Sequence, residues 1–221
     1  MQEPFATAHR DPQVSRLIHG FAKIGGVIKN RAWREALSDG LTPTQGQILS
    51  LLRSRPRTGM RLSGIAAELG VTKATASDAV SVLVHKELVG KARSPEDRRA
   101  VAVTLTEPGR QSAWRAMHWW DFLFDAFETL SEGERRTTLR ALSKVLYSLE
   151  ESEHIPGARM CASCMFFRPG ASNDPLASHH CAFGDFDFGD DELRLDCTAY
   201  ARADTAQRQR IQQQFIQPGR Q

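Results

Sequence analysis

Between Ser63 and Glu87 the sequence leaves room for two short helices and a tight turn, and for little else. Ser63 is read as the cap of a helix over residues 65–69, which Gly70 ends by taking the left-handed conformation that a helix exit needs. Thr72 then offers a second cap, and the helix it starts runs from Lys73 to about Glu87. On that helix Ala76, Val80, Leu83 and Val84 fall on one stripe, the face that must be buried. Helix, turn and helix in so few residues is the helix-turn-helix arrangement.

The adjoining residues give that arrangement a use. Residues 88–93 and 100–105 read as two strands, and Ser94–Arg99 as the tip between them, so a β-hairpin comes directly after the second helix, as a wing. Lys91, Arg93, Arg98 and Arg99 place four cations on the hairpin. Arginine suits a narrow, electronegative minor groove because its guanidinium sheds water cheaply. Asp97 is assigned to pinning a neighbouring arginine. On the helix, Lys73, Thr75, Ser77, Asp78 and Ser81 lie off the apolar stripe. Short polar side chains at a helix start let the backbone approach a duplex, and the helix dipole favours a phosphate there. Alone, such a face would be read as merely solvated. Beside a cationic wing it reads as a DNA-binding surface.

The flanking segments are helical. From Val14 to about Leu37, Leu17, Ile18, Phe21, Ile24, Val27 and Ile28 form a stripe. Thr42, Pro43 and Gln45 make a capping box that opens a helix reaching about Arg53. Thr106 and Pro108 start a long helix expected to run to about Leu130, with Ala113, Met117, Trp120, Phe124 and Phe127 at the spacing of a helix–helix seam. Ser131 and Glu134 cap the next, where Leu139, Leu142, Leu146 and Leu149 continue the seam.

The stretch LSGIAAELGVTKATASDAVSVLVHKELVGKARSPEDRRAVAVTLTEPGR, residues 62–110, resembles the MarR family of winged helix-turn-helix regulators. The family's D-x-R wing motif stands here as Asp97-Arg98-Arg99, and its closing Val-x-Leu-Thr as Val103-Thr104-Leu105-Thr106. With the flanking helices the resemblance covers residues 14–150. It implies a dimeric repressor joined through its terminal helices, which set two recognition helices about one DNA turn apart on a palindromic operator. It implies Thr75, Ser77 and Ser81 in the major groove and Arg98 in the minor groove. A small aromatic effector is a further implication. Trp33, His118, Trp119 and Trp120 could line its pocket, although an aromatic stripe is more often core.

Composition changes sharply after Pro156-Gly157. Residues 161–200 hold two arginines against seven acids, a net of −5 in a chain whose total is +3. All four cysteines also fall there, as Cys161-x2-Cys164, then Cys181, then Cys197. Clustered cysteines in a cytosolic chain point to metal rather than disulfides. Zinc would take the four thiolates, or three with His179 or His180. Zinc ribbons, however, usually carry two close pairs, and here the second pair is split by fifteen residues. Well-separated thiolates suit a [4Fe-4S] cluster. The segment around Cys161-Ala-Ser-Cys164-Met-Phe, Cys181-Ala-Phe and Cys197-Thr-Ala-Tyr200 is similar to the cluster-binding half of high-potential iron–sulfur proteins. That similarity implies a dry shell of Phe166, Phe167, Phe183, Phe186, Phe188 and Tyr200. The cluster leads, as a redox or iron sensor; structural zinc is the alternative and a metal-free thiol switch the third reading.

The expected fold is therefore mainly α with a small β-wing. It comprises a winged helix-turn-helix with long dimerisation helices over residues 1–155, an irregular Cys-rich appendage over 156–200 and a polar C-terminal tail over 201–221, read as a polar helix or a frayed, solvated end. No run approaches the ~20 apolar residues of a membrane helix, and MQEPFATAHRDPQ lacks a secretory core, so a cytoplasmic location is expected. No dinucleotide fingerprint, phosphate loop or nucleophile–base pattern suggests an enzyme. An electron-transfer protein is the remote alternative.

Overall fold

The computed structural model describes residues 11–93 and 101–217. The chain falls into two compact units, Met1–Phe124 and Asp125–Gln221.

In the first unit, α1 (Pro12–Ser38) starts two residues before the expected Val14, because the Asp11 carboxylate accepts the Gln13 N–H at 2.8 Å and Pro12 occupies the first turn. The anticipated Thr42–Gln45 capping box opens α2 (Pro43–Arg53). Next comes a strand that the sequence did not reveal, β1 (Met60–Arg61). It hydrogen-bonds to β3 (Val101–Leu105), whose other neighbour is β2 (Val89–Arg93), so the wing is rooted in a three-stranded sheet of order β1-β3-β2. Between β1 and β2 lie α3 (Leu62–Leu69) and α4 (Lys73–His85). Ser63 does not cap α3: the cap position is Arg61, which makes no side-chain capping bond, and the entry is instead set by the pairing of β1. Gly70 at φ +63 ends α3, and Thr72 caps α4, both as expected.

The core of this unit gathers Ile48, Leu49, Ile65 and Leu83, each fully buried, with Val80, Val89, Val103, Ala113 and Ala116 around them. Burial of one such large aliphatic side chain contributes about 1.5–3 kcal/mol. On α4 the buried set is Ala76, Ala79, Val80 and Leu83, while Val84 is 36% exposed. The stripe therefore turns toward Ala79, which lets α4 sit close to its neighbours.

The helix expected from Thr106 to Leu130 is broken. It forms as α5 (Glu107–Met117), a 3-10 turn at His118–Trp120 and α6 (Asp121–Glu128). At the break the indole N–H of Trp119 donates to Asp39 Oδ2 at 3.2 Å, and Asp39 Oδ1 accepts from Arg115 Nε at 3.0 Å. The Trp119 ring lies against Gly46, where a Cβ would stand only 2.1 Å from the ring. α5 is joined to the end of α4 just as tightly: the Thr106 hydroxyl points at the carbonyls of Glu87, 2.7 Å, and Leu88, 3.0 Å, while accepting the Gly109 N–H at 3.0 Å.

The second unit opens with α7 (Glu132–Glu151), started by the expected Ser131–Glu134 capping box. The cysteine segment is less irregular than its sequence suggests, for it contains a three-stranded antiparallel sheet, β4 (Phe167–Arg168), β5 (His179–Cys181) and β6 (Phe186–Phe188). Residues 201–217 are not a solvated tail. They form α8 (Thr205–Ile211) and a π turn at Gln212–Ile216, and Ile211 and Phe215 are fully buried with Met160 and Phe167. The Gln207 amide adds a hydrogen bond to the Phe167 carbonyl, fixing α8 to β4. Two apolar residues one turn apart outweigh the polar composition around them.

Candidate nucleic-acid interface and cysteine cavity

The surface of α4 is built from its cap. Thr72 Oγ1 accepts the Thr75 N–H at 3.0 Å and lies 2.8 Å from the Thr75 hydroxyl, so the first turn is rigid. Lys73, Thr75, Asp78 and Ser81 are exposed and Ser77 is half-buried. The buried stripe behind them orients this row outward together. Lys91 is exposed on β2, and Arg93 pairs with Val101 in the strand register. Arg98 and Arg99, like Asp97, lie outside the described residues.

The four cysteines come from three separate segments of the second unit. Cys161 begins a 3-10 turn and Cys164 ends it, Cys181 closes β5, and Cys197 comes after the acidic 3-10 turn at Asp190–Glu192. All four line one cavity of about 280 Å³, together with Phe166, Phe183, Phe186 and Phe188. The backbone carries this convergence: the Cys161 N–H donates to the Arg194 carbonyl at 2.9 Å, and the Cys197 N–H to the Arg159 carbonyl at 2.8 Å. Arg194 faces the sulfurs, its N–H 3.4 Å from Cys161 Sγ and its guanidinium 3.9 Å from Cys197 Sγ. Burial pushes the Cys161 thiol up to about 11, against the pull of the Arg194 N–H and reinforced by the other three cysteines. As a free thiol it stays protonated at neutral pH, and a positive group in the cavity would be needed to hold it as thiolate.

The cysteines surround a space rather than a point. Thiolates on one zinc ion stand about 3.8 Å apart, given zinc–sulfur bonds near 2.3 Å. Among the described residues no three His, Cys, Asp or Glu side chains are grouped closely enough for one ion. Neither appendage histidine faces the cavity as a spare donor. His179 is buried among Phe167, Phe188 and Phe215, with Nε2 2.9 Å from Asp190, which also takes Arg140 at 2.6 Å. His180 Nδ1 lies 2.8 Å from Asp187. Of the aromatic residues considered for an effector pocket, Trp119 belongs to the core and Trp33 is 46% exposed.

Two sets of residues escaped the sequence reading. Arg194 sits just after an acidic run that hides it, and Arg53 at the end of α2 alternates with Arg55 and Arg57 in the loop after it, where spacing alone assigns no face.

The helix-turn-helix and its sheet have known counterparts. Residues 39–100 match the MarR family. The MarR match spans α2 to the wing and ends well before Cys161. The crystal structure of the S. aureus MepR–DNA complex is similar at a TM-score of 0.53 and 26% identity, over 59% of this chain and 96% of that one. CouR from Rhodococcus jostii RHA1, bound to p-coumaroyl-CoA, shares the fold at a TM-score of 0.50 and 21% identity, over 66% of this chain and 94% of that one. No curated protein matches this chain. Residues 39–100 are thus similar to the MarR family, and no described helix is long and apolar enough to cross a membrane.

Proposed function

We propose that this chain is a DNA-binding transcriptional regulator, a dimeric repressor on a palindromic operator, whose cysteine cavity holds a [4Fe-4S] cluster as a redox or iron sensor. The DNA-binding half is supported by the capped, outward polar row of α4 beside a basic wing, and by likeness to a structure solved with DNA. Lys73, Thr75, Ser77, Asp78 and Ser81 would meet the major groove, and Lys91, Arg93, Arg98 and Arg99 the backbone and minor groove. Dimerisation is supported by α1, where Leu17, Phe21 and Ile24 are 57%, 49% and 48% exposed on one face that a second copy would cover.

The observation that carries the sensor half is the meeting of Cys161, Cys164, Cys181 and Cys197 on one phenylalanine-lined cavity. These four residues would be the ligands, and buried Phe167 and Phe188 would keep water from the inner side of the site. When bound, such a cluster supplies one-electron redox chemistry at a potential set by its hydrogen bonds and exposure. Arg194 would donate to the sulfurs and offset their charge.

Anaerobic purification with iron, sulfide and zinc assays tests the sensor half. A broad absorption near ~400 nm and about four irons per chain are expected. One tightly held zinc in a colourless protein would refute the cluster. Operator affinity by fluorescence anisotropy, holo against apo, tests coupling: equal affinities would make the site structural.

A further inference from the structure

The run Arg53-Ser54-Arg55-Pro56-Arg57 joins α2 to β1 and takes no part in the α4 and wing surfaces. Two cavities adjoin it. One of about 550 Å³ is lined by Arg53, Arg57, Arg110, Trp114 and Arg115, with the Glu107 carboxylate also on its wall, and one of about 260 Å³ by Arg53, Arg55, Arg57 and Arg110 with Gly59 and Thr104. Three arginines are therefore shared by both.

Their charges are unevenly matched. Arg55 pairs with Glu68 at 2.9 Å, Arg110 with Glu107 at 2.5 Å and Arg115 with Asp39 at 3.0 Å. Among the described residues neither Arg53 nor Arg57 has a carboxylate partner. Two unmatched guanidiniums facing one concave surface favour a ligand with more than one negative charge. The planar donor fork of arginine suits phosphate in particular.

The pocket lies at the end of β3 away from the hairpin tip. The smaller cavity touches Thr104 and Leu105, at the end of β3 opposite Val101, the residue next to the wing tip. At about 3.3 Å per residue the foot of the strand stands about 13 Å from its tip end. Trp114 adds an aromatic surface to the larger cavity. It is 54% exposed, with the His118 ring centred 4.0 Å from it.

We propose that this arginine pocket at the foot of the wing binds a nucleoside polyphosphate, with Arg53, Arg57 and Arg110 on the phosphates and Trp114 against the base. The reading is independent of the cysteine cavity. It also reaches the wing. Gly59, at φ +82, brings the arginine loop so close to β3 that a Cβ there would stand 2.3 Å from the Val103 carbonyl. A ligand on the loop thus bears on the sheet that carries the hairpin.

Calorimetric titration of the full-length protein with ADP, inorganic pyrophosphate and adenosine tests the site. ADP is expected to bind at least about tenfold more tightly than adenosine, the worth of one charge-assisted hydrogen bond, with pyrophosphate between them. Arg53→Glu/Arg57→Glu, both at exposed positions, should weaken ADP by at least about tenfold and leave nucleotide-free operator affinity within about twofold. Trp114→Ala should bring ADP down to the level of pyrophosphate; unchanged ADP affinity overturns the base contact. Absence of ADP binding, or binding indifferent to the double variant, overturns the site. Loss of operator affinity with a shallower salt dependence in the double variant would make the patch a DNA-phosphate contact instead.

Discussion

Gly46→Ala sets two effects of opposite sign against each other. Gly46 sits within α2, where alanine in place of glycine should stabilise the helix by about 0.5–1 kcal/mol. The new methyl, however, would lie 2.1 and 2.2 Å from two carbons of the Trp119 ring. Carbon atoms rest at about 3.5–4.0 Å, so the ring must retreat by roughly 1.5 Å. It has little room, being 5% exposed and tied by its indole N–H to Asp39. Overpacking of this kind costs about 1–3 kcal/mol, and loss of the bond to the carboxylate adds about 1.5 kcal/mol. The clash wins, and a net loss of about 1.5–4 kcal/mol is expected. In a Trp119→Leu background the obstacle is gone, so the same substitution should stabilise, with a coupling of about 3 kcal/mol. Urea unfolding monitored by far-UV circular dichroism, on the wild type, both single variants and the double, measures the cycle. Additive effects, or a Gly46→Ala protein as stable as the wild type, would refute the account of the break at residues 118–120.

Three further outcomes are expected. Arg98→Ala should weaken operator binding by about 1–3 kcal/mol in an anisotropy titration, and unchanged affinity would remove the wing from the interface. Cys181→Ser should lose the visible chromophore while His180→Ala, whose imidazole is engaged by Asp187, keeps it; loss of metal in the histidine variant would favour a mixed zinc site. Glu150 is buried, and burial holds its carboxyl above the usual range against the pull of the Ser163 hydroxyl and Arg202. The folded state therefore favours its protonated form. That stability is present below the ordinary carboxylate range and is lost as pH rises through the raised value. Glu150→Gln should raise the thermal midpoint at pH 7 and leave it nearly unchanged at pH 4, and an equal shift at both would contradict this.

The parts legible in the sequence are those governed by near neighbours. Thr42 with Gln45, Ser131 with Glu134, and Gly70 each act within a few residues, and each sits in the structure as its spacing indicates. β1 is two residues long and exists only because β3 lies beside it some forty residues later. The break at His118–Trp120 depends on Gly46, and no pattern within the helix announces it. Val84 and Ala79 exchange places because helix spacing fixes an angle, whereas packing chooses which edge of the stripe faces inward. For the cysteines, spacing named the set but not the cavity on which its members meet. In residues 201–217, Ile211 and Phe215 were outnumbered by glutamine and arginine, so composition masked the two side chains that matter.

The start of α5 is keyed to the turn that follows α4. The Leu88 carbonyl sits where a side chain at residue 109 would begin, with a Cβ there only 1.7 Å away, and the Thr106 hydroxyl clamps the same turn. A rotation of α5 would therefore press first on the Glu87–Leu88 turn behind α4. The far end of α4 is Lys73 and the first turn, which we propose meets DNA. Over thirteen residues α4 is about 20 Å long, so a tilt of roughly 5° at the joint carries its tip by about 2 Å. That displacement exceeds the play of a hydrogen bond. On the proposed function, a few degrees of tilt in α4 would thus be enough to shift its first turn off the bases.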